Sequence, residues 1–162
     1  MGDTKWLDDV EMRAWQGFLA AGALLNRRIE QQLKSDAGLS HAQYEILARL
    51  SDAPDGELRM TELADALFTS KSGLTYLVTQ MEKAGLVCRR SCPSDVRGVL
   101  ASLTDAGRER LAQAAPGHVA LVRARLIDVL DRRQLAVLAD GLAEVVQGLR
   151  CPEEDGGGEP SA

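Results

Sequence analysis

Aromatic side chains are scarce in this chain of 162 residues: tryptophan, tyrosine and phenylalanine occur twice each. Leucine, valine and alanine must build most of any core, and small aliphatics suit helices packed on helices. Cysteine is as sparse. Cys88, Cys92 and Cys151 do not make a disulfide framework, so the expected setting is the reducing cytoplasm. The segment from Met1 to Glu11 is mixed and acidic, without the apolar stretch of a secretory leader, and no run of about 18 apolar residues occurs to span a membrane. A glycine-rich phosphate loop, a serine–histidine–aspartate order and a cluster of metal ligands are also missing. The carboxylates are scattered as solvated helix faces require, so the expectation is a protein that is not an enzyme and uses no cofactor or metal.

Positive charge is in deficit overall, with a net charge of −5, but it is unevenly spread. Between Thr69 and Leu100 there are five basic residues (Lys71, Lys83, Arg89, Arg90, Arg97) against two acidic ones (Glu82, Asp95). That is a local +3, leaving −8 for the rest, and Glu153, Glu154, Asp155 and Glu159 crowd the end of the chain. A basic patch on an acidic protein is compatible with binding a polyanion, because binding depends on where charge sits rather than on its sum.

The periodicity is helical at both ends. Trp15, Phe18, Leu19, Gly22, Leu25, Ile29 and Leu33 predict a long amphipathic helix from about Asp8 to Ser35, stopped at Asp36-Ala37-Gly38. Ser40 and Gln43 form a capping box, flanked by Leu39 and Tyr44, for a second helix that buries Ile46, Leu47 and Leu50. A loop over Asp52–Gly56 and a short extended piece, Leu58-Arg59-Met60, lead to a short helix capped by Thr61 and carrying Leu63, Ala64 and Leu67. After a tight turn at Phe68 to Ser70, a helix to about Ala84 has Leu74, Leu77, Val78 and Met81 inside and Gly85 as its stop. Leu86–Ser91 and Val99–Leu103 then read as two strands around a turn-rich tip, Cys92–Gly98. Thr104 caps a long helix with a possible kink at Pro116-Gly117. Asp131 caps a last helix whose stripe Leu135, Leu138, Leu142, Val145 and Leu149 suits a helix–helix seam. The expected fold class is mainly α with a small β-hairpin wing. Its organisation is an N-terminal dimerisation helix over 6–36, a winged helix-turn-helix over 39–104, C-terminal dimerisation helices over 105–150, and a disordered acidic tail over 151–162.

Helix, tight turn, helix, glycine stop and hairpin, in that order, make a winged helix-turn-helix, with the recognition helix at about 70–84 and the wing at about 86–103. Only an α-helix or a two-stranded ribbon fits the major groove of duplex DNA, and the second helix of such a pair enters it N-terminus first. Its exposed face would carry Ser70, Lys71, Ser72, Thr75, Tyr76, Thr79 and Gln80, every one able to donate or accept a hydrogen bond. Ser70 and Ser72, at the helix start, suit phosphate, and Gln80 suits adenine. The wing adds Arg89, Arg90 and Arg97. An arginine at a hairpin tip can enter the minor groove, and Asp95, two residues earlier, is placed to hold that guanidinium.

Leu63-Ala64, Ser70–Glu82, Gly85-Leu86-Val87, Asp95-Val96-Arg97-Gly98 and Leu103-Thr104-Asp105-Ala106-Gly107 together resemble the MarR family of bacterial regulators. The D-x-R wing followed by L-T-x-x-G is the most specific part, and the resemblance covers about residues 6 to 149. It implies a homodimer built by the terminal helices that binds pseudo-palindromic double-stranded DNA, usually as a repressor, and is released by a small-molecule effector or by oxidation. By position, Arg97 would be the minor-groove arginine, Asp95 its anchor, and Ser70 to Gln80 the major-groove face. The chain departs from the family in having Tyr76, Thr79 and Gln80 where basic residues are common, which predicts fewer phosphate contacts and a shallower salt dependence. The competing expectation is a winged-helix interaction module that does not bind DNA.

Trp15, Phe18, Tyr44 and His118 are candidates for an effector pocket, with core packing the alternative for the aromatics. Trp6 is expected at the dimer interface. His41 and His118 are candidate sensors of pH or ligand, with solvated positions the alternative. Cys88 and Cys92 are too far apart along a strand for a disulfide and poorly spaced for zinc. Cys92, near Arg89 and Arg90, is the candidate redox thiol.

Overall fold

The computed structural model describes residues 4–92 and 95–150, with the side chains of 95–97 outside that description; the expected acidic tail and the tip at 93–94 also fall outside it. The chain divides into two compact units, Met1–Val122 and Arg123–Ala162.

The first unit begins with α1 (Asp9–Ala37), which Asp8 caps in a capping box with Glu11. Gly38 ends it in the left-handed region at φ +66°, where its N–H returns to the last turn. The C-terminal half of α1 buries Ile29, Leu33 and Ala37. Helix α2 (His41–Asp52) starts on the Ser40/Gln43 capping box, with Ser40 N donating to Gln43 Oε1 at 2.9 Å and Gln43 N to Ser40 Oγ at 3.2 Å. It buries Tyr44, Ile46, Leu47 and Leu50. Strand β1 (Glu57–Arg59) follows, then α3 (Met60–Ala66), α4 (Lys71–Lys83), β2 (Val87–Cys92), β3 (Asp95–Leu103) and α5 (Asp105–Val122).

Three expectations change. Helix α3 begins at Met60, one residue before the expected cap Thr61, because Glu62 reaches back to accept from the backbone N of Arg59 at 3.1 Å. The piece at Leu58 is a true strand. It pairs antiparallel with β3 (Leu58 opposite Ala101), giving a three-stranded sheet in the order β1-β3-β2 rather than a two-stranded hairpin. Strand β3 starts at Asp95, four residues earlier than the pattern predicts, so pairing reaches Cys92 and Asp95 through an irregularity at Ser91/Cys92. Side chains in that turn-rich stretch do not alternate in polarity, so a periodicity reading stops short.

Leu33, Leu39, Ile46, Leu47, Leu50, Leu63, Leu74, Val78, Met81 and Val87 are fully buried and form one core between α1, α2, α3, α4 and the sheet. Helix α5 closes this core with Ala114 and holds the end of α1: Arg110 Nη1 donates to the Ala37 carbonyl and Gln113 Nε2 to the Asp36 carbonyl, both at 2.8 Å. These bonds satisfy carbonyls that a helix end leaves without partners.

In the second unit, a π-helical turn spans Arg123–Ile127, with Asp128 N donating to the Arg123 carbonyl. The expected kink at Pro116-Gly117 is displaced: α5 runs through Pro116, and the irregularity comes at this turn. Asp131 and Gln134 then form a capping box for α6 (Arg132–Arg150), at 2.8 and 2.9 Å. Val137, Leu138, Leu142, Val145, Val146 and Leu149 of α6 are exposed in the single chain, as are Trp6, Val10, Trp15, Phe18 and Leu24 around the N-terminal half of α1. Among the described residues no helix is long and apolar enough to cross a membrane.

Candidate nucleic-acid interface

Helices α3 and α4 make the helix-turn-helix. Leu63 and Ala64 of α3 and Leu74 and Val78 of α4 are buried together, which fixes the two axes. The turn closes through Phe68 N to the Asp65 carbonyl and Thr69 N to the Ala64 carbonyl. Ser70 caps α4 by accepting from Gly73 N at 3.1 Å, and its Oγ lies 3.3 Å from Ser72 Oγ. With Leu74, Val78 and Met81 inward, α4 turns Lys71, Ser72, Thr75, Tyr76 and Gln80 outward, with Thr79 half-buried among them. The predicted recognition face is thus continuous, and Ser70 sits at its N-terminal end.

The other end of α4 is fastened. Gly85, at φ +72°, ends the helix while Leu86 N returns to the Met81 carbonyl at 3.0 Å. Thr104 Oγ1 donates to the Gly85 carbonyl at 2.6 Å and accepts from Gly107 N at 3.0 Å, so one hydroxyl caps α5 and ties it to the end of α4.

The wing strand β2 is bound to its neighbours by charge. Arg89 Nε and Nη2 donate to Glu82 Oε2 of α4 at 3.1 and 2.6 Å, and the Arg89 backbone N donates to Glu82 Oε1 at 3.0 Å. These bonds hold the Glu82 carboxyl below its ordinary pKa. Arg90 donates through Nε and Nη2 to Glu57 of β1, and this pair raises the already high pKa of its guanidinium. Arg89 and Arg90 were expected to face DNA. Here both forks close on carboxylates of the same chain, linking wing to recognition helix and wing to β1. Asp95 and Arg97 lie in β3, with side chains outside the described residues.

A sequence profile described as MarR family matches residues 37–98. The fold is similar to that of Sco3205, a MarR family transcriptional regulator from Streptomyces coelicolor solved in complex with DNA. That similarity has a TM-score of 0.89 at 40% identity, over 94% of this chain and 96% of that one. The chain is 31% identical to the transcriptional regulator FarR of Neisseria gonorrhoeae over 113 residues, 70% of this chain and 75% of FarR. The chain belongs to the MarR family. It is also 35% identical to the transcriptional repressor YetL of Bacillus subtilis over 97 residues; that match spans 60% of this chain and 58% of YetL.

As a MarR-family regulator the chain is not an enzyme, and the four pocket candidates separate into two pairs. Trp15 and Phe18, 52% and 56% exposed, stack on each other with ring centroids 6.5 Å apart. Neither enters the core of its own chain, which corrects the packing alternative, because α1 is apolar on a side that its own unit leaves open. Tyr44 is buried, and His118 of α5 lies against it with ring centroids 4.4 Å apart. The His41 ring is 6.1 Å from His118, and His41 Nε2 is 3.7 Å from Glu45 Oε1. Burial, then the neighbouring His41, push the His118 pKa down; bonding to His41 lowers that of Glu45; burial raises that of Tyr44. The histidines are therefore partly enclosed rather than solvated. His118 Nδ1 and Gln32 Oε1 are buried without a hydrogen-bond partner. Cys88 is exposed, its Sγ 3.2 Å from Ser102 Oγ, and Cys92 is buried. Burial of Cys92 works against its expected role as the reactive thiol.

Sequence reasoning missed Glu82, Glu57 and Phe68. Glu82 lies on α4 and Arg89 on β2, and 33 residues separate Glu57 from Arg90, so neither pair shares one helix whose spacing would announce it. Phe68 sits in the turn at φ +50°, with its ring 68% exposed, a conformation that no local pattern marks.

Proposed function

We propose that the chain is a double-stranded DNA-binding repressor that acts as a homodimer on a pseudo-palindromic operator. The observation that carries this reading is the outward, hydrogen-bonding face of α4, capped by Ser70 and held beside the wing, in a fold that a relative uses in complex with DNA. Lys71 and Lys83 are exposed at its two ends and suit phosphates on either side of the groove. Arg97, by its place at the wing, would take the minor groove with Asp95 as its anchor. The exposed apolar faces of α1 and α6 support dimerisation, since a second copy would remove them from water. A dimer reads two half-sites about 34 Å apart, so the separation of its two α4 helices sets affinity. An effector that alters this separation would release the DNA. The buried, unpartnered Nδ1 of His118, which packs on Tyr44, and Oε1 of Gln32, whose side chain lies against Gly117, support a polar effector reaching the junction of α1, α2 and α5.

Fluorescence anisotropy against DNA flanking the gene, across a salt series, tests the reading. Selective binding that weakens with salt and with Arg97→Ala is expected. Binding that is absent, or indifferent to sequence and to Arg97, would overturn it in favour of an interaction module.

A further inference from the structure

The recognition face has fewer hydroxyl donors to offer than its sequence promises. Thr75 Oγ1 donates to the Lys71 carbonyl and Thr79 Oγ1 to the Thr75 carbonyl, each at 2.7 Å. Both hydroxyl protons are spent on the helix itself, a bonding that threonine adopts readily within helices. The Ser70 hydroxyl accepts from Gly73 N in the cap and keeps its proton, at the N-terminal edge of the face rather than its middle. At the middle of the face this leaves the γ-methyl of each threonine and Tyr76, 65% exposed, whose ring is apolar and whose phenol hydroxyl is the one hydroxyl donor there that no helix carbonyl takes. Phe68 adds a second exposed ring at the turn just before the helix. These two are the large apolar side chains that the helix-turn-helix leaves exposed among the described residues. Cations stand only at the ends, at Lys71 and Lys83, and α4 contains no arginine.

Such a face is poorly suited to guanine, whose O6 and N7 are read best by a forked or cationic donor. It suits the one apolar group that base edges present in the major groove, the C5-methyl of thymine. Gln80, exposed one turn beyond Tyr76, is chemically matched to the adenine of an A·T pair. We infer that Thr75, Tyr76 and Thr79 are specificity-determining residues that read thymine methyl groups, so that the operator half-site is centred on A·T pairs. This rests on the DNA-binding reading above and names what that site recognises.

The test takes duplexes selected by the full-length protein from a randomised pool and replaces each thymine of the half-site, in turn, with deoxyuracil. The replacement removes one methyl and keeps every hydrogen-bonding group. At one or two positions affinity should fall roughly fourfold, the value of one buried methyl. The thymine-to-uracil ratio should collapse toward one in Thr79→Ser or Tyr76→Ala and persist in Thr79→Val, which keeps the methyl and loses the hydroxyl. If wild-type affinity is indifferent to uracil at every position, or if the ratio survives in Thr79→Ser but not in Thr79→Val, the inference is wrong although DNA binding stands. If no duplex is selected at all, the function proposed above falls, and this inference with it.

Discussion

Gly107 packs its α-carbon against the carbonyl of Leu86 so closely that a β-carbon built on it would overlap the carbonyl oxygen. The same carbonyl accepts from Thr104 N at 3.3 Å, while Thr104 Oγ1 bridges Gly85 and Gly107. The L-T-x-x-G run is therefore a clamp that joins the end of α4 to the start of α5, and its glycine is required by space. Gly107→Ala must push backbone against backbone. The expected cost is about 2 kcal/mol. That would lower the thermal midpoint by about 6 °C. A circular-dichroism melt checks it; an unchanged midpoint would mean that the clamp yields freely.

Arg89 and Arg90 are bound to Glu82 and Glu57, so their role in binding DNA should be to position the wing. The slope of log affinity against log salt counts neutralised phosphates. Arg89→Ala should leave that slope unchanged even where affinity drops, whereas Lys71→Ala should reduce it by about one. Exchanging the charges, with Glu82→Arg and Arg89→Glu together, should recover more affinity than either substitution alone. A slope that falls by one in Arg89→Ala would instead return that side chain to the phosphate backbone.

The contrast between Thr104 and Arg89 explains what was legible beforehand. Thr104 lies next to the glycine it serves, and caps, glycine stops and apolar stripes are local signals; the long helices, the order of elements and the outward face of α4 were readable for that reason. Arg89 takes its meaning from a carboxylate seven residues away across a change from helix to strand, and β1 becomes a strand only because β3 is there to pair with it. Likewise the hydroxyls of Thr75 and Thr79 look available in a list of residues. They prove committed once the helix supplies carbonyls four residues back.

His118 and Glu45 give the fold an acid side. The folded-state pKa of His118 is lowered, chiefly by burial against Tyr44, so the unfolded chain binds its proton more readily. Its contribution is complete above about pH 6.5, the unfolded value, and is lost as pH falls toward the lower folded value. Glu45, lowered chiefly by its bond to His41, adds a second loss as pH falls below about 4.5 toward its own folded value. Urea midpoints should therefore decline in two stages on acidification. His118→Phe should remove the first stage and keep the second. A midpoint flat between pH 7 and pH 5.5 in the unmodified protein would contradict this account of His118.

The open faces of α1 and α6 carry the last prediction. Leu142 and Val145 lie on one side of α6 and are exposed in the single chain, so replacing both with glutamate leaves the buried core of either unit untouched. If a second copy covers this side, each glutamate must be buried against apolar surface, and a carboxylate without a partner there is strongly disfavoured. Sedimentation equilibrium should then give the mass of two chains for the unmodified protein and of one chain for Leu142→Glu/Val145→Glu, with the far-ultraviolet spectrum retained. Operator affinity should collapse with it, because one wing and one recognition helix hold only a half-site. If the double variant still sediments as two chains, α6 is not the seam. If the unmodified protein is already a single chain, the exposed stripe is an interface for a different partner, and the pseudo-palindromic operator loses its basis.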